Sequence, residues 1–492
     1  MTSKQHWALA VVTALSIFIG AGITLLITSG EGKDESIQVT PTSSTQGTLA
    51  ATTTSTLAPT TLATAPTTTA PPVTQGTITP GTTAVVPTVT AATIPTTTTT
   101  QPPTTTTSQP LDTTTTMPDR NTDVGIGDDT IRIAVVADRA ETLQGLQAWR
   151  TYMNRRGGLA GRDIVIDVLD HGGSVEGYAS AVASACDEDF ALVGGMSVYD
   201  GAVEAQGCAA IPDLPVEVNN PGRGASSNTF AAFPGQPGIV AIGPYQWMIE
   251  NVSGCCSQFV LVPDAEPLRA STLDLVEALE VAGLSTAGTT DVSSSDDLTR
   301  YGEIVDEIEA NGATLAWSGQ GASSTTLLRQ AAAGRAPDVT AWYCDASCYD
   351  PTLPANGGPD VEGQYVGIQT APFSDRADIG ALRAYLRITA RAGGDPSYEG
   401  LRAFVAGMLF ETATKRVINE HGGNGITRVR LFEALAELTD FTAGGIVGPT
   451  NVASGTPSSC FVLLQVTGDD FERVSPTESG VLDCDPENLV EL

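Results

Sequence analysis

Basic residues are scarce in this chain. Its 492 residues contain 24 Lys and Arg against 56 Asp and Glu, which gives a formal net charge of −32. A protein that binds nucleic acid needs clustered Lys and Arg to contact the phosphates. The shortage of positive charge therefore argues against nucleic acid as a partner. The excess of acid suits a soluble domain outside the cell, and the habitat of the host is an equally good explanation.

The residues and motifs of common enzymes are also lacking. Of the three histidines, His6 lies near the N-terminus, while His171 and His421 stand beside glycines. No His-Glu-x-x-His, Gly-x-Ser-x-Gly or P-loop pattern occurs. Residues 319–321, GQG, resemble half of a dinucleotide-binding fingerprint, but Ser324 takes the place of the third glycine. Without a nucleophile and base, we predict no catalytic residue, no cofactor and no enzymatic activity.

Only one long apolar run is present, at residues 7–28, and it contains no charge. Its length suffices to cross a bilayer. Lys4 precedes it and mostly acidic residues follow, which favours a cytoplasmic segment 1–6 and an exported C-terminal body. A cleavable signal peptide, and hence secretion, is the alternative, although its apolar core is usually shorter. No cysteine follows for a lipoprotein anchor, so we predict a single-pass anchor in the cell membrane.

Cysteine is missing from the first 185 residues, and all eight cysteines lie after that point. An even number in an exported protein favours disulfides. Zinc is the competing interpretation, but Cys-x3-Cys without a nearby histidine is poor zinc spacing, so no metal site is predicted. Adjacent cysteines bond only through a strained ring, so Cys255 and Cys256 receive no predicted partner. The pairs within reach are Cys344 with Cys348 and Cys460 with Cys484.

Residues 29–124 are dominated by Thr, Pro and Ala. Such a composition cannot bury an apolar core, so we predict a disordered linker that tethers the following domain.

An alternating pattern begins after residue 125. Strand-like runs and helix-like periods follow one another, which predicts an α/β fold with parallel sheets flanked by helices. The first unit has predicted strands at 131–137, 164–169, 190–194 and 209–218 and helices at 141–156 and 176–186. The second has strands at 259–262, 286–291, 314–317 and 339–343 and helices at 238–250, 271–282, 296–311 and 323–333. Residues 365–369 begin the return to the first unit, and helices at 378–392, 399–417 and 429–438 complete it.

Four segments of this region resemble one protein family. Residues 152–162, YMNRRGGLAGR, resemble its N-x-x-GG-x-x-GR-x-I segment, and residues 193–197, VGGMS, resemble its V-G-P-x-S ligand loop. Residues 361–363 and 396–404 match its return strand and a late helix. The family is the branched-chain amino-acid-binding group of type I periplasmic binding proteins, which serve ABC importers. The resemblance covers about residues 130–474.

The resemblance implies two lobes joined by three inter-lobe crossovers. Lobe one would comprise about residues 125–243 and 367–440, and lobe two about 244–366 and 441–475, leaving a C-terminal tail at 476–492. A small polar ligand such as an amino acid or amide would lie between the lobes, and an ABC permease would be the partner. The family also often carries a disulfide where Cys186 and Cys208 close a short loop between consecutive helices.

Ligands of parallel α/β sheets bind beyond the carboxyl ends of the strands. Ser197 follows such a strand, where the family uses a hydroxyl to hold an acceptor group, and a plain helix N-cap is the alternative. Asparagines there can bind a ligand or form an ordinary turn, and aspartates can meet an ammonium group or serve as caps. The predicted ligand-binding residues are Asp138, Ser197, Tyr199, Asn219, Asn220, Asp264, Ser318, Gln320 and Asp345. We expect Ser197 and Asp345 to face each other across the cleft.

Three departures from the family weaken the prediction of an amino-acid ligand. The loop at 137–143 lacks the usual S/T-G step, Val198 replaces a frequent second serine, and residues 265–267 replace a frequent Tyr-Gly. A membrane-tethered sensor or cell-surface interaction domain without a transport role is the competing interpretation, because the fold alone does not fix the function.

Overall fold

The computed structural model describes residues 120–201, 203, 207–218, 220–266, 268–336 and 338–492. The chain divides into two units, Met1–Thr107 and Ser108–Leu492, and all described residues belong to the second. The predicted anchor at 7–28 and nearly all of the linker lie outside them. Within the described ranges, no helix combines the length and apolar character needed to cross a bilayer.

Eleven α-helices are described. In chain order they are α1 (Ala140–Asn154), α2 (Val175–Glu188), α3 (Pro221–Gly224), α4 (Gly243–Asn251), α5 (Leu268–Val281), α6 (Leu298–Ala310), α7 (Gly321–Ala332), α8 (Thr352–Gly357), α9 (Gly380–Arg391), α10 (Tyr398–His421) and α11 (Arg428–Ala436). Several helices begin at a residue whose side chain accepts a hydrogen bond from a backbone N–H of the first turn. At the start of α10, for example, the Ser397 hydroxyl accepts from Gly400 N at 3.0 Å.

Lobe one is built on a parallel sheet of order β2-β1-β3-β4. Its strands are β1 (Thr130–Val136), β2 (Asp163–Leu169), β3 (Leu192–Val193) and β4 (Asp213–Leu214). Along β1, Ile131 and Ile133 pack into one buried cluster, whereas Ala134 and Val136 pack into another on the opposite face. The central strand is therefore covered on both sides, as an apolar parallel strand requires. The strand predicted at 209–218 shrinks to two residues, because prolines precede and follow β4.

Helices α1 and α10 pack closely in lobe one. A Cβ on Gly145 of α1 would lie 1.9 Å from the Gly400 carbonyl oxygen of α10, and one on Gly407 would lie 2.3 Å from the ring of Trp149. Glycine is therefore what allows the two backbones to approach. The indole of Trp149 is fully buried and meets Phe410 edge-on.

Lobe two contains a seven-stranded sheet of order β12-β11-β10-β9-β8-β6-β7. The strands are β6 (Ser257–Pro263), β7 (Ser285–Val292), β8 (Leu315–Ser318), β9 (Ala341–Cys344), β10 (Tyr365–Ile368), β11 (Val462–Thr467) and β12 (Asp470–Ser475). Strands β6 to β10 pair in parallel, and β11 and β12 are added antiparallel. Strand β10 thus still belongs to lobe two, and the return to lobe one begins after it.

The chain crosses between the lobes three times, as predicted. It passes from Phe233 to Ile242, from Ile368 to Ala371 and from Val452 to Phe461, each pair lying in cores of different lobes. The α/β two-lobe architecture is therefore confirmed.

Two short strands at the first crossover were missed. The predicted helix 238–250 is wrong at its start, because β5 (Ile239–Ala241) is a strand that pairs with β13 (Leu489–Glu491), and α4 begins only at Gly243. The C-terminal tail thus forms part of the connection between the lobes.

All eight cysteines are paired in the structure. Cys186 bonds to Cys208, Cys344 to Cys348 and Cys460 to Cys484, and the adjacent Cys255 and Cys256 bond to each other. The last of these pairs was not foreseen.

Asp189 is a buried carboxyl in lobe one that lacks full compensation. It is 1% exposed, its Oδ1 has no hydrogen-bond partner among the described residues, and its nearest cation is Arg132 Nε at 3.7 Å. Burial and, after it, the neighbouring Asp167 raise the pKa of Asp189 to about 7, although Arg132 opposes the shift.

We expect Asp189 to make the domain less stable as pH rises. Between about pH 4 and about pH 7 the folded state holds a proton that the unfolded chain has released, so the unfolding free energy falls through this window. Asp189→Asn should remove this contribution to the fall in unfolding free energy. Above about pH 7 the variant should therefore be more stable than the wild type. Urea denaturation across this range measures the slope, with the exposed Asp187→Asn as control. A wild-type slope in Asp189→Asn would contradict the assignment.

Candidate functional site: the inter-lobe cleft

A cavity of about 760 Å³ lies between the lobes. Its volume falls within the range of ligand sites in proteins. Lobe two contributes the loops beyond the carboxyl ends of β6, β8 and β9, which is where parallel α/β sheets bind ligands. Lobe one contributes Arg139, Met196, Glu217, Tyr398, Glu399 and Arg402.

The lobe-one wall is organised around the buried guanidinium of Arg402. Its Nη2 lies 2.6 Å from Glu217 Oε2 and its Nη1 lies 3.4 Å from Glu399 Oε2. The guanidinium also stacks over the rings of Phe233 and Tyr398, at 4.8 and 5.3 Å from their centroids. Burial lowers the pKa of Arg402, but Glu217 and Glu399 outweigh it and raise the pKa overall. Arg402 therefore stays charged and bound to two carboxylates.

The lobe-two wall presents Asp345 at the end of β9. Its Oδ1 accepts hydrogen bonds from the backbone N–H of Ser347, at 2.9 Å, and from the Ser347 hydroxyl. Gly319 leaves room beside the other oxygen, because a Cβ there would lie 3.3 Å from Asp345 Oδ2. Asp345 thus has one oxygen engaged in a cap, while its other oxygen lies beside Gly319 on the cavity wall.

The two walls are coupled electrostatically. Asp345 is exposed to solvent, but the protein on both sides of the cleft partly desolvates it and raises its pKa; Glu217 raises it further, whereas the Ser347 hydrogen bonds and Arg402 lower it. Burial likewise raises the pKa of Glu399, which Arg402 lowers and Glu217 and Asp345 raise. Asp345 therefore acts on the charged set of lobe one from the opposite side of the cleft.

Aromatic rings form the floor of the cavity. The centroids of Tyr245 and Tyr343 are 4.5 Å apart, and Trp317 meets Tyr245 edge-on at 5.6 Å. Burial raises the pKa of both tyrosines well above the ordinary value, so their phenols are neutral. The Trp317 Nε1–H donates to Gln258 Oε1 at 2.9 Å, which fixes its ring.

Four of the predicted ligand-binding residues line this cavity. They are Asp264, Ser318, Gln320 and Asp345. Ser318 Oγ accepts from Gln320 N at 3.1 Å, and the Gln320 amide donates to Val292 O at 2.9 Å, so both side chains are held by their own lobe. Asn219 lies outside the described residues.

Three of the remaining predicted residues, Asp138, Ser197 and Tyr199, bond to one another at the end of the lobe-one sheet. The Ser197 hydroxyl donates to Asp138 Oδ1 at 3.1 Å and accepts from Tyr199 N at 3.1 Å, while His171 Nε2 contacts the same Asp138 oxygen. Asn220 forms a turn, accepting from Gly222 N at 2.8 Å. The sequence predicts that Ser197 faces Asp345 across the cleft. In the structure, Glu217, Glu399 and Arg402 form the lobe-one wall of the cavity instead.

This serine, aspartate and histidine set is not arranged for catalysis. The Ser197 hydroxyl donates to the carboxylate of Asp138. Nucleophilic catalysis needs the serine hydroxyl to donate its hydrogen bond to the imidazole instead. Among the described residues, no group of three or more His, Cys, Asp or Glu could hold a metal ion.

Known proteins show what this architecture is similar to. The family model described as periplasmic binding protein matches residues 135–470. The chain belongs to the periplasmic binding protein family. This family consists of extracytoplasmic solute-binding proteins, which bind solutes without transforming them, and the predicted membership is confirmed. No curated protein matches the chain significantly.

Solved structures of other proteins have the same fold at low sequence identity to this chain. A fatty acid ABC transporter substrate-binding protein from Thermomonospora curvata is 16% identical, with a TM-score of 0.59, over 74% of this chain and 95% of that one. The closed leucine-, isoleucine-, valine-, threonine- and alanine-binding protein from Brucella ovis is 16% identical, with a TM-score of 0.58, over 72% and 97%. A branched-chain amino acid ABC transporter from Thermus thermophilus with bound valine is 14% identical, with a TM-score of 0.57, over 70% and 96%.

Proposed function

We propose that this chain captures a small polar solute between its two lobes and delivers it to an ABC importer. The observation that carries the proposal is the cavity of about 760 Å³ whose walls come from both lobes. A ligand that contacts both walls binds the closed form more tightly than the open form, and this differential affinity drives closure. The permease would then recognise the closed state.

The N-terminal part fits a tethered binding protein. The uncharged apolar run at 7–28 would anchor the chain in the membrane, and the Thr- and Pro-rich stretch after it would hold the domain away from the surface. The four disulfides suit a compartment outside the cytoplasm. No enzymatic step is included in this proposal.

The ligand class of this family is broad. Structures that share this fold are named for branched-chain amino acids and for a fatty acid. The purified chain, screened by thermal shift against amino acids, amides, fatty acids, amines and sugars, identifies the class that binds. A true ligand raises the melting temperature in proportion to the logarithm of its concentration above Kd. A screen without any stabilising compound would contradict a binding function.

A further inference from the structure

The charged groups around the cavity are unbalanced. Five carboxylates line it against two guanidinium groups, those of Arg139 and Arg402. The carboxylates are Glu217, Asp264, Asp345, Asp350 and Glu399. The wall of the cleft therefore carries negative charge that its own cations do not neutralise.

The central cation of the wall is already engaged. Arg402 is 4% exposed and ion-paired with Glu217 and Glu399, although its Nε has no hydrogen-bond partner among the described residues. An incoming carboxylate would compete with both glutamates for the guanidinium or displace one of them. Displacement would leave a partly buried carboxylate unpaired, which is unfavourable. An anionic ligand therefore meets both the net charge of the cleft and an occupied cation.

The remaining acceptors face a ligand from both sides. Asp345 on lobe two raises the pKa of Glu399 on lobe one, and among the described residues each has one carboxylate oxygen left after its local bond is made. Desolvation by the surrounding protein and the carboxylate of Glu217 raise the pKa of each, so a positive charge placed between them would relieve an existing electrostatic cost.

The aromatic residues of the cavity floor favour a positively charged ligand through a different interaction. Tyr245, Tyr343 and Trp317 all line the cavity. Aromatic faces attract an organic cation and also cover its apolar carbon chain. This support does not depend on the carboxylates.

We propose that the cleft selects a small organic cation, an amine or guanidinium on an apolar chain, held between Asp345 and Glu399. This inference rests on the proposed function, because it names the ligand class of the same cavity. The site is the inter-lobe cavity itself, and its charge decides what enters.

Probes of similar length and different charge test the proposal. Cadaverine and agmatine are the cations, 5-aminopentanoate is the zwitterion, pentanamide is neutral and glutarate is the anion. Titration calorimetry on the full chain in detergent should give binding in the order cation, zwitterion, neutral, anion. Added salt should weaken the cations most, because it screens the charges.

Two isosteric variants locate the charge partners. Asp345→Asn keeps an acceptor for Ser347 N but loses the charge. On the other wall, Glu399→Gln keeps an acceptor for Arg402 and also loses the charge. Each should weaken cadaverine about tenfold or more, since charge-assisted hydrogen bonds are about twice as strong as neutral ones, and should leave pentanamide unchanged. Glu280→Gln and Glu433→Gln remove one exposed charge from each lobe outside the cavity, and both should bind like the wild type.

The outcomes separate the ligand class from the function. Tighter binding of glutarate or pentanamide than of cadaverine would overturn the cation proposal and leave solute binding intact. Wild-type affinity for cadaverine in both variants would also overturn it. Failure of every probe, together with a silent broad screen, would overturn solute binding as well.

Discussion

Arg223→Met is expected to destabilise the domain by about 3–5 kcal/mol, the usual loss when one partner of a buried ion pair is removed. Arg223 is 1% exposed, and its Nε and Nη2 bond to the two oxygens of Asp213 at 2.9 and 2.7 Å. Its Nη1 bonds to Asp200 at 2.7 Å. Methionine fills similar space but leaves two buried carboxylates without a cation. Urea denaturation measures the loss.

Two further variants isolate the cause. Replacing Asp200 and Asp213 by Asn together with Arg223→Met removes all three charges and should recover part of the stability. Arg300→Met removes a half-exposed guanidinium that bridges Glu303 and Glu307, and should cost no more than about 1 kcal/mol. A loss in Arg223→Met as small as that in Arg300→Met would contradict a structural role for the buried set.

Gly145→Ala is expected to lower stability by about 2–3 kcal/mol, the upper part of the range for an overpacked core. The added Cβ would lie 1.9 Å from the Gly400 carbonyl oxygen, so α1 and α10 would have to separate. Separation would also disturb the contact of Trp149 with Phe410 in the core of lobe one. Thermal and urea unfolding give the size of the effect.

Gly302→Ala is the matched control. Gly302 lies inside α6, and a Cβ there would have no atom within 4 Å. Alanine should therefore stabilise the domain by up to about 1 kcal/mol through helix propensity alone. Opposite signs for the two substitutions indicate that close backbone approach, rather than propensity, decides the effect. A stabilising Gly145→Ala would contradict the packing of α1 on α10.

The parts of the fold that were predicted correctly have a local signal. Strand β1 is an unbroken apolar run, and α1 and α10 carry long helical periods. The two strands at the first crossover have none, because β5 and β13 are three residues each and lie far apart in sequence. Only their pairing makes them strands. The family resemblance supplied the three crossovers, which no local pattern contains.

The candidate site was predicted on one wall better than on the other. Asp345 and Ser318 follow predicted strands of lobe two directly, and both line the cavity. Glu217 and Arg402 stand far apart in sequence, so their ion pair could not be foreseen. Two signals were available: Glu217 lies at the carboxyl end of the strand predicted at 209–218, and Arg402 lies within the family-like segment 396–404. Ser197 was chosen by resemblance, but its hydroxyl is engaged with Asp138.

The most direct test of solute binding blocks the cleft and measures affinity. Gly319 lines the cavity beside Asp345, so Gly319→Phe places a ring in the space that the ligand would occupy. Titration calorimetry with the compound identified by screening should give one site per chain in the wild type and no detectable binding in Gly319→Phe, with both proteins folded by circular dichroism. Full affinity in Gly319→Phe would show that the ligand binds elsewhere and would contradict the assignment of the inter-lobe cleft.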